Sequence, residues 1–254
     1  MLSCYDSDQE TLRSCYLSLN QITPFIRFSH LTANQAILEA LRGGQQAIHI
    51  IDFDIMHGVQ WPPLMQALAD RSTNTLHPPP MLRITGTGHD LNILHRTGDR
   101  LFEICPVFGP KALNPTVVTI AEREANHNQP LFLQRFLEAL DHYKALFDSL
   151  EATLPPNSRE RLAVEQIWFG REIMDIVAAE GEGRRERHQK FETWEMMLKS
   201  VGFNKVPLSP FALAQAKLLL RLHYPSEGYQ LQILKNSFFL GWQNHSLFSI
   251  SSWH

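Results

Sequence analysis

The sequence predicts an α/β fold built around a parallel sheet. Residues 47–53 form a near-continuous apolar run, which is typical of a strand buried on both faces of such a sheet. The run passes through a loop into a helical stretch over 59–70, the order in which doubly wound α/β domains open their ligand crevice. Near the other end, apolar residues alternate with glutamines over 229–233, which indicates an antiparallel hairpin. A parallel body followed by such a hairpin is typical of Rossmann-like, class I methyltransferase-like folds.

Helices and strands alternate through the first half of the chain. Residues 1–43 have a helical pattern, which Gly43 and Gly44 end. Three prolines at 78–80, which cannot continue a helix, introduce the second strand. In order, we expect a strand over 47–53, a helix over 59–70, a strand over 81–86, a helix over 90–101 and a strand over 117–122.

Helices dominate the second half before the terminal hairpin. Two long helices, separated by Pro155 and Pro156, each place apolar residues three and four positions apart on one face. Those residues are Phe136, Leu140, Tyr143, Phe147 and Leu150 in the first helix, and Leu162, Phe169, Ile173 and Ile176 in the second. We then expect a helix over 190–201, a short strand over 203–206, a helix over 210–222, a hairpin turn at Lys235–Asn236 and a last strand over 247–253.

The connection between two of the expected strands is too short for a parallel crossover. Residues 102–108 have the pattern of a strand, yet only about eight residues separate them from the strand at 117, whereas a parallel crossover needs about a dozen or more. Either the two strands pair antiparallel or the chain lacks residues near 102–115. We favour the second alternative.

The composition indicates a folded intracellular protein with no general affinity for nucleic acid. The 254 residues suffice for one large domain, and charged residues make up 19% of them. At a net charge of −3, any contact with DNA must come from a local basic patch and would depend strongly on salt. Three scattered cysteines fit a reducing compartment. No apolar run is long enough to span a membrane, and the acidic N-terminus is unlike a signal peptide.

The loop after the first strand is a poor cofactor site. In this fold, a site for S-adenosylmethionine pairs a glycine-rich loop after the first strand with a carboxylate at the end of the second. Here the loop has one glycine, Gly58, and the second strand ends without a carboxylate before Asp90. We therefore expect no cofactor and no catalysis, with the large side chains of Phe53 and Ile55 filling the crevice. The alternative is an enzyme or receptor that keeps a small-molecule pocket there.

The same loop holds candidate metal ligands. Asp52 and Asp54 could bind a metal together with a nearby histidine, either His49 or His57. Carboxylates in this position also cap the following helix and accept hydrogen bonds from loop amides. We favour the structural role for Asp52 and expect no metal site. His49, within the strand, is expected to be a core residue.

The densest charge cluster covers residues 180–190. Four cations within seven residues could contact the phosphates of double-stranded DNA. These are Arg184, Arg185, Arg187 and Lys190. The alternative is a solvated helix end, in which the glutamates of the cluster pair with the basic side chains. We take the four cations as the candidate DNA-binding site.

Several short stretches, in the same order along the chain, resemble motifs of one known family. Ile48–Asp52 reads IHIID, Arg184–His188 reads RRERH and Ser251–Trp253 reads SSW. They resemble the VHIID, RVER and SAW motifs of the plant GRAS transcriptional regulators, and the chain is identified as a member of the scarecrow-like branch. Further similar stretches are 28–40 (the end of the first leucine-rich region), 60–69, 82–86, 114–115, 122–128, 143–152 and 169–173 (the PFYRE region), and 240–242.

The resemblance implies a single GRAS domain over residues 1–254. Residues 1–43 and part of 155–195 would form a helical cap, and 44–154 with 196–254 the methyltransferase-like α/β core. The family has a longer helical N-terminal region and a second leucine-rich region before the strand at 117, so the segment near 102–115 is expected to be incomplete. Four residues of the family motifs are expected to be structural: Asp52, Arg171, Trp242 and Trp253.

The resemblance also implies gene regulation in the nucleus, without catalysis, through partners that include zinc-finger transcription factors and other GRAS proteins. We expect a nuclear regulator that binds double-stranded DNA through the four cations and forms a homodimer, with no cofactor, metal or membrane contact. The alternative is a protein-interaction scaffold that DNA-binding partners recruit to promoters. If the four cations contact phosphates, replacing them by alanine should weaken DNA binding by several tenfold steps.

Overall fold

Two compact units make up the chain, Ile37–Thr116 and Met1–Ala36 together with Val117–His254. The structure, a computed structural model, describes residues 2–41, 45–75, 80–87 and 115–254. The helix expected over 90–101 and the strand expected over 102–108 lie outside the described residues. Among the helices that the structure describes, none is both long and apolar enough to cross a membrane.

The smaller unit contains a parallel strand–helix–strand arrangement. Strand β1 (Ala47–Asp52) leads towards helix α3 (Trp61–Thr75), and strand β2 (Met81–Gly86) then pairs with β1 in parallel along its whole length. The helix between two parallel strands supplies the crossover that such a pairing requires. Both strands lie where the sequence predicts them, and α3 covers Trp61–Thr75 instead of the expected 59–70.

Strand β1 is less buried than its apolar sequence suggests. Ile50 packs in a small core with Leu64 and Leu82. His49, however, is exposed, and its Nε2 lies 2.9 Å from the hydroxyl oxygen of Thr85. The expectations of burial on both faces and of a core role for His49 are therefore wrong. An apolar run shows that a strand can be buried, but the layers packed against it decide which faces are covered.

Helices form most of the larger unit. Helices α1 (Leu2–Ile22) and α2 (Phe25–Ala40) occupy the region expected to be helical at the N-terminus, and α2 continues into the smaller unit. The other helices are α4 (Phe132–Thr153), α5 (Arg159–Ala163), α6 (Gly170–Ala178), α7 (Phe191–Ser200) and α8 (Pro210–His223). They confirm the helices expected in the second half of the chain.

The second of the two expected long helices is interrupted. The predicted break at Pro155 and Pro156 is confirmed, because α4 ends before it and α5 begins after Ser158. The Ser158 hydroxyl accepts a hydrogen bond from the Arg161 amide and so caps α5. A π-helical turn over Val164–Phe169 then joins α5 to α6. Apolar spacing predicts helix here but does not reveal the wider turn within it.

An antiparallel sheet completes the larger unit. Its strands are β3 (Val118–Arg123), β4 (Lys205–Val206), β5 (Tyr229–Leu234), β6 (Ser237–Trp242) and β7 (His245–Trp253). The order is β3–β7–β6–β5, with β4 also paired to β7, and each of these pairings is antiparallel. The expected hairpin is confirmed: β5 and β6 are joined at Lys235 and Asn236, whose φ values of 49° and 62° suit a tight hairpin turn.

A mixed α/β fold is thereby confirmed, with one parallel pair among the strands that the structure describes. That pair is β1 and β2, whereas the strands of the larger unit pair antiparallel throughout. A Rossmann-like core remains a prediction, which the β1–α3–β2 arrangement supports.

Two tryptophans of the large sheet are buried. Trp242 is 4% exposed and Trp253 is fully buried, with its Nε1 donating to the Ser251 hydroxyl oxygen at 2.9 Å. The ring of Trp242 packs edge-on against Tyr229, with 4.9 Å between the centroids. It also lies so close to Gly228 that a Cβ there would meet the ring at 2.3 Å. These contacts support the structural role expected for both tryptophans.

Candidate functional site

Residues 184–190, here called the basic segment, lie as an extended strap between a short 3₁₀ turn and helix α7. The strap is fastened to the loop after β3, where the amide of His127 donates to the carbonyl of His188 at 3.1 Å. On the α6 side, Asp175 Oδ1 accepts hydrogen bonds from the amides of Arg185 and Glu186, both at 2.8 Å. The backbone of the segment is therefore held from both sides.

Arg184 is part of this fastening. Its side chain is buried, and Nη1 donates to the carbonyl oxygen of His127 at 2.7 Å. Burial lowers the pKa of Arg184, and the nearby Arg135 and Arg187 lower it further. A buried guanidinium that is bonded to the protein's own backbone is not available to a phosphate. The expected DNA contact through Arg184 therefore disagrees with its placement, because the tertiary fold turns this side chain inward.

The other three candidate cations differ in exposure and in their partners. Arg187 is exposed, but its guanidinium donates to the Arg184 carbonyl and to Asn128 Oδ1, each at 3.2 Å. The Nζ of Lys190 donates to Glu138 Oε1 at 2.9 Å. Arg185 is exposed and extends from the strap. Arg184 is thus a buried anchor, and Arg187 and Lys190 have partners within the protein. Arg185 faces solvent.

A charged network lies beneath the strap. Arg123 and Tyr143 both donate to the Glu172 carboxylate, and Arg123 also donates to the Tyr143 hydroxyl oxygen at 3.2 Å. Burial alone would lower the pKa of Arg123, but Glu172 and Tyr143 raise it above its ordinary value. Burial raises the pKa of Tyr143, and Glu172 raises it further. Arg123 is therefore charged and Tyr143 neutral, so both can donate hydrogen bonds to the Glu172 carboxylate.

Three histidines meet beside this network. The rings of His142 and His188 pack edge-on against His127, and the Nδ1 atoms of His127 and His188 lie 2.9 Å apart. Burial, followed by the charges of His188 and Arg123, lowers the pKa of His127 to about 3. Burial likewise lowers the pKa of His142 well below its ordinary value. In the described part of the chain, no group of three or more His, Cys, Asp or Glu side chains is arranged to hold a metal.

The histidine cluster was not visible in the sequence. His127, His142 and His188 are separated by many residues and come from a loop, a helix and the strap. No short spacing links them, so only the tertiary structure reveals the cluster. The local signal is that His127 and His188 lie within stretches that resemble family motifs, and His142 directly precedes one.

An open cleft of about 320 Å³, here called the acidic cleft, lies in the larger unit beside the end of the strap. Four carboxylates line it: Glu124, Glu138, Asp141 and Glu192. The neighbouring cation is Lys190, and His142 and His245 are also among the lining residues. Burial raises the pKa of Glu124, and the charge of Glu192 raises it further. The surroundings of Lys190 therefore favour a cation over a phosphate.

The first turns of α4 expose five apolar side chains, here called the α4 apolar face. They are Phe132, Leu133, Phe136, Leu137 and Leu140, with exposed fractions of 52%, 64%, 38%, 53% and 56%. Phe136 and Leu140 belong to the apolar face predicted for this helix and are exposed, whereas Tyr143 and Leu150 of the same face are buried. The periodicity of a helix gives its apolar stripe, but not how far along the helix the core extends. Contiguous exposed apolar surface of this kind marks interaction sites.

The loop after β1 is held by Asp52. Its two carboxylate oxygens accept hydrogen bonds from the Asp54 amide at 3.1 Å and from Trp61 Nε1 at 3.0 Å. These contacts support the structural role expected for Asp52. Arg171, the fourth expected structural residue, is exposed on α6.

The two side chains expected to fill the crevice, Phe53 and Ile55, differ in burial. Ile55 is buried against the end of β2, so close that a Cβ at Gly86 would lie 2.7 Å from Ile55 Cδ1. Phe53 is 78% exposed, so the expectation that it fills the crevice is wrong. Ile55 is thus buried and Phe53 exposed although both are large and apolar. The backbone of the turn after β1 sets the direction of each side chain.

Comparison with known proteins assigns the chain to a family. The GRAS domain family matches residues 2–109 and 110–254. Scarecrow-like protein 18 of Arabidopsis thaliana is 52% identical over 309 aligned residues, which cover 97% of this chain and 69% of that protein. Protein MONOCULM 1 of Oryza sativa subsp. japonica is 42% identical and covers 94% of this chain and 70% of its own length. The chain covers 51% of DELLA protein GAIP of Cucurbita maxima, at 32% identity.

A solved structure supports the same assignment. The crystal structure of SCL7 in Oryza sativa superposes with a TM-score of 0.80 at 32% sequence identity. The match covers 97% of this chain and 84% of that chain.

Proposed function

Because the chain belongs to the GRAS domain family, we propose that it is a non-catalytic regulator of gene expression in the plant nucleus. The family match across nearly the whole chain carries this proposal. The close packing of Ile55 on Gly86 supports the absence of a cofactor beyond β1, since it fills space that a cofactor would need.

The finer description of the fold is part of the same proposal. The β1–α3–β2 arrangement supports a Rossmann-like, methyltransferase-like core. The alignment with Scarecrow-like protein 18 extends over 309 residues, more than the 254 of this chain, so the relative has residues inside the matched span that this chain lacks. The family match divides between residues 109 and 110. Both facts support a single GRAS domain that is incomplete near 102–115.

We propose that the regulator works mainly through protein contacts, as a scaffold that forms a homodimer. The α4 apolar face carries this proposal because it is the longest run of exposed large apolar side chains on one described helix. A helix face can pack against its own copy across a two-fold axis, since the same patch then serves both subunits. A net charge of only −3 opposes such pairing weakly.

Sedimentation velocity of the purified chain over a range of concentrations tests the dimer. The wild type should sediment as a dimer, and Leu133→Glu with Leu137→Glu should shift it to a monomer because two charges would be buried at the interface. The matched control is Leu218→Glu with Leu222→Glu, an exposed apolar pair with the same spacing on α8. A dimer that survives the α4 change, or is lost equally in the control, contradicts the proposed surface.

Direct contact with double-stranded DNA is the second candidate function. It is favoured by Arg185 and Arg187, which remain exposed in the basic segment. In this reduced form the site has two arginines, while Arg184 and Lys190 hold the strap in place. Partner transcription factors would then supply the rest of the DNA affinity.

A further inference from the structure

Helix α8 presents a row of exposed apolar side chains along its length, here called the α8 stripe. It consists of Phe211, Leu218 and Leu222, which are 59%, 45% and 60% exposed. With about 3.6 residues per turn, the three lie within about 40° of one another around the helix axis. Ala212 and Ala216, on the other side of α8, are buried in the core. One side of the helix therefore holds it in the fold, and the other presents apolar surface to solvent.

Two cations border the α8 stripe. Lys217 and Arg221 are exposed, stand about one helical turn apart, and each directly precedes a leucine of the stripe. Helix α8 contains no Asp or Glu. Within the described ranges of the chain, neither cation forms an ion pair or a side-chain hydrogen bond. The exposed side of α8 is therefore both apolar and positively charged.

The charge of this surface distinguishes between possible partners. If a second copy of α8 packed against it, the two cations of each copy would face those of the other, and like charges across an interface are unfavourable. A nucleic acid would neutralise the cations through its phosphates but offer no apolar side chains to the stripe. A polypeptide with apolar side chains and carboxylates matches both features.

The shape of the surface favours a helical segment of such a polypeptide. The main-chain groups in the middle of α8 are bonded within the helix, so the stripe offers none to an extended chain. A helix satisfies its own main chain and binds through apolar side chains three and four positions apart. From Phe211 to Leu222 the stripe is about 16 Å long, which corresponds to about three turns of a partner helix.

We propose that the α8 stripe, together with Lys217 and Arg221, binds an acidic amphipathic helix of a partner protein. The apolar side chains of the partner pack along the stripe, and its carboxylates pair with the two cations, which orients the bound helix. This surface extends the proposed scaffold role. It does not rest on the proposed homodimer, because the α4 apolar face lies on another helix.

The probe is a labelled, terminally blocked, alanine-based peptide of about 15 residues, a length at which a helix can form. It has three leucines on one face and glutamates beside them, and fluorescence anisotropy follows its titration into the purified chain. We expect saturable binding that weakens as salt is added. Binding should be at least tenfold weaker when glutamines replace the glutamates, or when alanines replace the leucines.

Two protein variants locate the site. Leu218→Glu with Leu222→Glu should weaken binding of the peptide at least tenfold. Lys217→Glu with Arg221→Glu should weaken it similarly, and a peptide with lysines in place of the glutamates should restore binding to this variant. The matched control is Leu133→Glu with Leu137→Glu, the same change at the same spacing on α4, which should bind the peptide like the wild type. The control separates this proposal from the homodimer, which that change is expected to disrupt.

Each opposite result overturns the proposal. Absence of saturable binding, or equal binding of the glutamine peptide, would show that the surface does not recognise an acidic helix. Equal binding by the Leu218 and Leu222 variant would place the peptide elsewhere. Self-association that this variant alone abolishes would assign the α8 stripe to a second copy of the chain. Circular dichroism of each variant checks that it is folded, and the altered peptides test the proposal on the unaltered protein.

Discussion

The guanidinium of Arg184 donates a hydrogen bond to the main-chain carbonyl of His127 at 2.7 Å, and this contact anchors the basic segment. The amide of His127 donates in turn to the carbonyl of His188, so the loop after β3 and the strap hold each other at two points. In the sequence, Arg184 begins a run of arginines that resembles a nucleic-acid-binding patch. In the structure, it fixes the strap to the loop after β3.

The hydrogen bond of Arg184 predicts that substitutions of Arg184 and of Arg185 change the free energy of unfolding by different amounts. Arg184→Ala should lower the free energy of unfolding by about 1–3 kcal/mol, because the buried carbonyl of His127 loses its donor. Arg185→Ala, on the exposed side of the strap, should change it by less than about 0.5 kcal/mol. Urea denaturation followed by tryptophan fluorescence measures both. Equal stability of the two variants would show that the hydrogen bond of Arg184 does not stabilise the fold.

Glu195 predicts a pH dependence of stability. It accepts hydrogen bonds from Lys199, Lys205 and Lys235 at 3.0, 2.7 and 3.1 Å. Burial alone would raise the pKa of Glu195, but the three lysines lower it to about 2 from an ordinary value of 4.5. Since the folded-state pKa is the lower one, the carboxylate stabilises the fold above pH 4.5, and this contribution is lost as the pH falls towards 2.

Glu195→Gln should therefore lower the stability at pH 7 and flatten the loss of stability between pH 4.5 and 2. Urea denaturation at several pH values gives both quantities. Glu227→Gln, which removes an exposed carboxylate, serves as the control and should follow the wild-type profile. A wild-type pH profile in the Glu195 variant would mean that the three lysines do not hold this carboxylate.

Gly228 predicts a steric effect in the large sheet. Gly228→Ala should destabilise the chain by about 1–3 kcal/mol, because the new methyl group would overlap the Trp242 ring. Gly183→Ala is the matched control, since a Cβ there meets no atom within 4 Å. Thermal denaturation by circular dichroism should separate the two variants by several degrees. A wild-type melting temperature for Gly228→Ala would require the ring to move at no cost.

Local patterns in the sequence predicted local structure well. Strand β2 lies over the expected residues, and the hairpin turns at Lys235 and Asn236, because alternation and turn residues act over a few positions. Exposure was harder to predict. Phe53 and Phe136 are apolar yet exposed, and Arg184 is charged yet buried, since each outcome depends on what packs against the residue from distant parts of the chain.

The sequence likewise revealed some features of the candidate site and missed others. The composition revealed the basic segment. The position of Asp52 before a helix predicted a structural role, which its hydrogen bonds with Asp54 and Trp61 support. The acidic cleft and the histidine cluster were missed, because Glu124, His142 and Glu192 come from separate elements with no common spacing. Only the pairing of those elements brings the side chains together.

The most direct test asks whether the basic segment binds DNA or serves only to stabilise the fold. Fluorescence anisotropy of a labelled duplex, titrated with the purified chain at several salt concentrations, compares the wild type with Arg185→Ala plus Arg187→Ala. The control is Lys217→Ala plus Arg221→Ala, an exposed pair of cations on α8. A scaffold predicts that both double variants bind like the wild type, with the same salt dependence. A loss of several tenfold steps with a flatter salt dependence, confined to the strap variant, would contradict it.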